Sequence, residues 1–275
     1  EGFGPLTTGY GSRQDPTKDG GKIGPEFTFG IYMEKQLNEP ILIIKTAWGG
    51  RSLNTEFRPP SAGQYKLPKE IQEQWDKYPQ GAHGIPKAED RKKWQDEKDA
   101  ASGVFYRMMI EHVKKVLADP KRVCPEYDEK AGYEVAGFVW LQGFNDLVDG
   151  TTYPNGNYDE YSRLLSHFIR DVRKDLSAPK MPFVIGVLGV DGKKNVSFRQ
   201  AMAAPAAMPE FKGNVLAVDT APFWDHDIAA ALENQDAYNN ILATAYTLKK
   251  DGTLDTEGKW NHYWKPLGKL LPEEQ

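Results

Sequence analysis

The sequence predicts an α/β fold, a three-layer αβα sandwich around a mainly parallel sheet, organised as a single domain over residues 1–275. Three observations predict it. Apolar runs of strand length recur at 41–46, 135–141, 183–188 and 215–218. Stretches with helical periodicity separate most of them, and the distances between runs are too long for hairpins, so the strands need crossovers. Two of the runs stop abruptly at glycine and polar groups, Ala47-Trp48-Gly49-Gly50 and Gln142-Gly143-Phe144-Asn145-Asp146. Open parallel sheets present their reactive groups in that way, at the carboxyl ends of strands.

Residues 1–25 are rich in Gly, Pro, Thr and Asp and read as an irregular segment. Pro25 suits a first helical turn and Glu26 favours the positive end of the helix dipole. Phe27, Phe29, Ile31, Tyr32, Met33 and Leu37 then predict a helix over Glu26–Leu37, largely buried against the sheet, with the strand 41–46 directly behind it. Arg58-Pro59-Pro60-Ser61 is a loop. It opens a charged insertion at about 58–100 that contains Trp75, Tyr78, His83 and Trp94, a solvated excursion unless its aromatics line a cleft. Val104, Phe105, Met108, Met109, Val113, Val116 and Leu117 repeat at three and four and mark a helix over 101–117, ended by Pro120. The strand 135–141 follows. Asn157 and Glu160 form a capping box for a helix striped by Tyr161, Leu164, Leu165, Phe168, Val172 and Leu176. Strand 183–188, a small helix over 199–208 and strand 215–218 complete the order. From Asp251 onward the text is polar and turn-rich, with no closing apolar helix.

With 39% apolar residues there is material for a core, and the formal charge of -4 from 39 acidic and 35 basic residues shows no basic footprint for nucleic acid. No stretch approaches the roughly 18 to 20 continuous apolar residues that span a bilayer, so no membrane partner is expected. Cys124 is the only cysteine, which excludes an intrachain disulfide and leaves the redox compartment open. The chain starts at Glu1 without a leader pattern and is expected to be a processed or excised piece. Neither the compartment nor the oligomeric state is legible in the sequence.

Acyl transfer needs a nucleophile, a base and donors placed where oxyanion charge develops. A Gly49-Gly50 turn offers backbone N–H groups without Cβ interference, and Asn145 offers a side-chain N–H from the neighbouring strand end. Taken singly, each has a plainer reading as a turn and as a strand end. Taken together, Lys45-Thr46-Ala47-Trp48-Gly49-Gly50 and Trp140-Leu141-Gln142-Gly143-Phe144-Asn145-Asp146 resemble the second and third sequence blocks of SGNH hydrolases, in the branch of sialate O-acetylesterase-like carbohydrate esterases. Ile23-Gly24-Pro25-Glu26-Phe27 resembles the segment that precedes these blocks, and the likeness covers most of residues 6–225.

The resemblance implies a flavodoxin-like SGNH fold and an ester hydrolase that removes O-acetyl or other small acyl groups from carbohydrates by a serine nucleophile. It implies no cofactor, an acylated carbohydrate as substrate, and a periplasmic or secreted setting. By that likeness Gly50 or Gly49, with Asn145, forms the oxyanion hole. A histidine near the C-terminus is the base, which points to His262 or to a residue beyond Gln275. Trp48, Gly49, Gln142 and Asp146 flank the cleft as substrate contacts, with Trp48 equally suited to the core. Where some members of the branch carry a glutamate that orients the histidine, this chain has Phe144; Asp146 is the substitute, or else satisfies local backbone donors.

The departures are as informative as the matches. No Gly-Gln-Ser-Asn, Gly-Asp-Ser or Gly-x-Ser-x-Gly string occurs in the 275 residues. The expectation is that the nucleophile block and the first strand belong to a missing N-terminal portion. The alternative is an inactive relative that kept the fold as a carbohydrate-binding or structural domain. Ser12 and Ser52 are the nearest stand-ins and neither is taken as the nucleophile. His262 lacks the family's Asp three positions earlier, which is Lys259 here. His226 sits in Asp225-His226-Asp227, which also suits a helix start. No pattern of metal ligands is present, so no metal site is expected.

Overall fold

Among the described residues three strands form a sheet in the order β1 (Phe138–Trp140), β2 (Phe183–Val187) and β3 (Val215–Asp219). The computed structural model of the protein describes residues 2–7, 23–82, 84–190 and 194–224. β1 and β2 run parallel, with Phe138 opposite Phe183 and Trp140 opposite Ile185. The chain that joins them carries the helices α5 (Phe144–Leu147) and α6 (Asp159–Asp175), the crossover that a parallel pair requires. Val, Ile, Phe and Trp dominate these strands because branched and aromatic side chains fit a pleated surface.

One face of the sheet holds the core. On α6 the side chains of Tyr161, Leu164, Leu165, Phe168 and Val172 are fully buried, as the periodicity predicts, and Ile169 joins them, while Leu176 stands just past the helix end and is half-buried. Phe168 stands at the centre, edge-on to Tyr106 at 5.5 Å and to Phe138 at 5.9 Å, and 4.3 Å from the Trp140 ring. Tyr106 belongs to the long helix over Val104–Ala118, which also buries Met109, Ile110, Val113 and Val116 and whose Tyr106 hydroxyl donates to Asp175 at 2.8 Å. On the opposite face, Val139, Leu216 and Val218 are exposed by 52%, 60% and 39%. The described helices thus cover one side of the sheet.

Two sequence expectations change here. The first helix, α1 (Pro25–Leu37), forms at the expected place but buries only Glu26 and Gly30, leaving Phe29, Ile31, Tyr32 and Leu37 exposed. Residues 41–46 are not a strand. Extended backbone becomes a strand only beside a hydrogen-bonded neighbour, and among the described residues none pairs with this run. The helix instead lies on the run itself: Glu26 pairs with Lys45 at 2.8 Å, and Ile43 approaches Gly30 closely.

The insertion is more than a solvated excursion. It folds into α2 (Lys69–Lys77) and α3 (Arg91–Ala101) around an aromatic cluster of its own. Trp75 is buried and meets Trp94 edge-on at 5.0 Å, while Trp94 meets Tyr65 at 5.8 Å. Arg91 clasps the cluster, bonding to the Trp75 carbonyl and to Asp76. These large rings exclude enough water to override the charged composition around them. With α2 and α3 in place, the Val104–Ala118 helix is α4 and the small helix is α7 (Val196–Ala203), shifted from 199–208 because Pro205 cannot continue it. The capping box at Asn157 is also absent. Asn157 Oδ1 accepts the Asp159 N–H at 3.0 Å, but Glu160 turns outward to a bidentate pair with Arg163, a charge-assisted bond stronger than a backbone cap.

Contacts divide the chain into two compact units, one comprising residues up to Leu188 with Ser197–Val218, the other Gly189–Val196 with the residues from Asp219 onward. The sheet core and the residues described below belong to the first. In the second, Gly189 packs so closely on Ala221 that a Cβ would lie 2.5 Å from the Ala221 nitrogen.

Candidate active site

Trp48 brings the chain into the site. Its half-buried ring meets Phe105 edge-on at 5.0 Å and Phe57 at 6.0 Å, which roots the following turn in the core. Gly49 and Gly50 then form an exposed turn. Gly50 has φ +73°, the left-handed region that glycine enters freely, and among the described residues no atom beyond its chain neighbours lies within 4 Å of where a Cβ would stand. The backbone conformation, and not crowding, asks for glycine here, and the open space leaves room for a ligand.

The second run ends at β1, and Gly143 carries the chain into α5. This glycine is fixed by crowding, since a Cβ would lie 2.9 Å from both Leu188 and Phe198 side-chain atoms. Behind it, Asp146 is fully buried and accepts five hydrogen bonds: from the Leu53 N–H (2.7 Å), the Asn54 N–H (3.0 Å), Asn54 Nδ2 (3.0 Å), Gln142 Nε2 (2.7 Å) and the Tyr153 hydroxyl (2.8 Å). Burial pushes this carboxyl above its ordinary range, while the bonds from Gln142, Leu53, Tyr153 and Asn54 pull it down. All of them donate to the carboxylate, which is the form the site is built to hold. Burial and the Asp146 charge likewise push the Tyr153 phenol well above its ordinary value, so it stays a donor.

Gln142 completes the clasp. Its Nε2 also donates to the Arg51 carbonyl at 2.9 Å, and its backbone carbonyl accepts the Tyr161 hydroxyl at 2.9 Å. Residues 51–54, immediately after the glycine turn, are thereby tied to residues 142–146, and the two glycine-ended segments meet across about 92 residues of sequence. Asn145 is half-buried beside this mesh, and its side-chain amide makes no hydrogen bond to any described residue. Among the described residues this donor has no protein acceptor.

A family profile described as carbohydrate esterase, sialic acid-specific acetylesterase, matches residues 7–228. The chain belongs to this carbohydrate esterase family. No curated protein and no solved structure matches it. The matched span contains the glycine turn, Asn145 and the three described strands, so both glycine-ended segments lie within the family's shared sequence.

The remaining candidates divide clearly. Ser52 is buried, its hydroxyl donating to Glu56 at 2.8 Å and accepting the Thr55 N–H at 3.2 Å, which stabilises the 52–56 turn. Phe144 is 54% exposed. His167 sits on α6 with Nδ1 2.7 Å from Ser61 Oγ. Ser12, His83, His226 and His262 lie outside the described residues. Among the described residues no group of three or more His, Cys, Asp or Glu side chains is arranged to hold a metal ion, and no described helix is long and apolar enough to cross a membrane. Sequence reasoning missed Asn54 and Tyr153, whose partners lie far away or carry no motif. It also missed Asp149, which accepts Asn54 Nδ2 at 3.2 Å and Thr152 Oγ1 at 2.7 Å.

Proposed function

We propose that the protein hydrolyses O-acetyl or other small acyl esters of carbohydrates, with the Gly50 N–H, or that of Gly49, and the Asn145 amide as the donors that stabilise the tetrahedral oxyanion. The observation that supports this reading is the pairing of an unsatisfied Asn145 amide with an open glycine turn, held together by the Asp146 and Gln142 bonds. Such donors act because they are already oriented before charge develops on the carbonyl oxygen. Gln142 and Asp146 are then positioning residues, since their polar atoms are occupied within the protein, and Trp48 and Gly49 border the ester.

The attacking serine of the SGNH pattern has no Gly-Gln-Ser-Asn counterpart among these 275 residues, so the reading assigns to this chain the charge-stabilising half of the site, with His262 or a residue outside these 275 as the base. A three-layer SGNH domain over 1–275 is the fold proposed with it. The absent serine block and the exposed Phe144 favour a second reading, a domain that binds glycans without turnover. The two separate in one assay of the protein expressed from its complete coding sequence. Acetate release from O-acetylated glycans supports the esterase; binding of the same glycans with no acetate release supports the inactive domain.

A further inference from the structure

A cleft of about 760 Å³ lies between the 58–68 loop, the 152–157 loop and the start of α6, and neither Gly50 nor Asn145 lines it. Its size is that of a small-molecule site. It is nevertheless wired to the ester site. Thr152, in its wall, donates to Asp149 at 2.7 Å, Asp149 accepts Asn54 Nδ2 at 3.2 Å, and the same Asn54 amide holds Asp146, the neighbour of Asn145. Arg58, also in the wall, donates to the Asn54 carbonyl at 3.0 Å.

The charges around it balance, with Arg58, Lys66 and Arg163 against Glu70, Asp159 and Glu160. Both guanidinium groups are already engaged. Arg58 donates to the Gly63, Asn54 and Gln64 carbonyls at 2.7, 3.0 and 3.1 Å, and Arg163 makes its bidentate pair with Glu160 at 2.6 and 2.7 Å. No spare guanidinium fork is left to grip a carboxylate or phosphate. The side-chain amides of Gln64 and Asn155 are exposed and make no hydrogen bond to a described residue, and Leu67, Pro68 and Pro154 supply apolar faces between them. Free amides flanked by apolar surface suit sugar hydroxyls and the C–H faces of a pyranose ring.

We infer that this cleft is a subsite for an uncharged oligosaccharide, the unmodified sugar units next to the one that carries the ester. The inference rests on the esterase reading above for the identity of its ligand class. Titration of the protein with cellotetraose, xylotetraose and mannotetraose, none of them acetylated, tests it. Saturable binding of at least one is expected, weakened about tenfold by Gln64→Ala and by Asn155→Gly, the worth of one lost hydrogen bond, with the thermal midpoint unchanged. Asn155→Gly is chosen because φ +56° there suits glycine. Absence of saturable binding up to about 10 mM overturns the proposal, as does binding that both substitutions leave intact or binding of sialyllactose alone. Asn145→Ala is expected to leave oligosaccharide binding unchanged. Absence of ester hydrolysis by the unsubstituted protein, with oligosaccharide binding present, would fault only the esterase reading, whereas hydrolysis of an aryl acetate without oligosaccharide binding would fault only the cleft.

Discussion

Asp146 and Asn145 are adjacent and have opposite tasks. The carboxylate faces inward and is saturated by five donors. The amide has no hydrogen-bond partner among the described residues, which is what the proposed oxyanion role requires. Asn145→Ala should lower kcat on acetyl esters by about 10² to 10³ fold in the protein expressed from its complete coding sequence; an unchanged kcat with the fold intact would remove Asn145 from the oxyanion hole. Asp146→Asn puts an N–H where only donors point. It should destabilise the protein by about 2 to 4 kcal/mol in urea unfolding, because a buried acceptor is lost and donors are left unmatched.

Among the elements, α6 carries both the core and the link to the 60–62 turn. Phe168→Ala removes the ring at the meeting point of Tyr106, Phe138 and Trp140 and should cost about 3 to 5 kcal/mol, read from the denaturation midpoint. On the outer side of the same helix, His167 Nδ1 meets Ser61 Oγ, and Asp171 accepts the Ser61 N–H at 2.8 Å. Burial, then the Arg163 and Arg170 charges, hold His167 below the ordinary histidine value, with Asp171 and Glu160 opposing them. The folded protein therefore binds this proton less readily than the unfolded chain does. Its contribution to stability is complete above about pH 6.5 and is lost as pH falls below that value. Replacing His167 with Gln should flatten the thermal midpoint between about pH 7 and 5; an identical acid slope in the variant would show that another group sets it.

Across the larger unit, stability is expected to be uneven. The insertion has a small aromatic cluster around Trp75 and Trp94, whereas the sheet and α6 share the large core. Amide exchange should therefore release α2 and α3 at a lower opening free energy than α6 and β2, as separate cooperative units. Trp75→Ala should speed exchange in α2 and α3 while leaving β2 protected. Uniform acceleration would show that the insertion and the sheet unfold as one.

The sequence by itself determined the local features: the helical stripes of α4 and α6, the three strands of the sheet, and the glycine-ended runs whose wording carries the family likeness. These are legible because a 3.6-residue or two-residue period and a glycine turn are properties of neighbouring residues. Only the tertiary structure decided the rest. Residues 41–46 have the composition of a strand but lack a pairing neighbour among the described residues, and the charged text of 64–100 conceals an aromatic cluster. Gln142 and Asp146, adjacent to the cleft in sequence, turn their polar atoms inward to Arg51, Leu53 and Asn54. Whether a polar side chain faces substrate or protein depends on which donors the fold brings to it from about 92 residues away, and no local pattern encodes that distance.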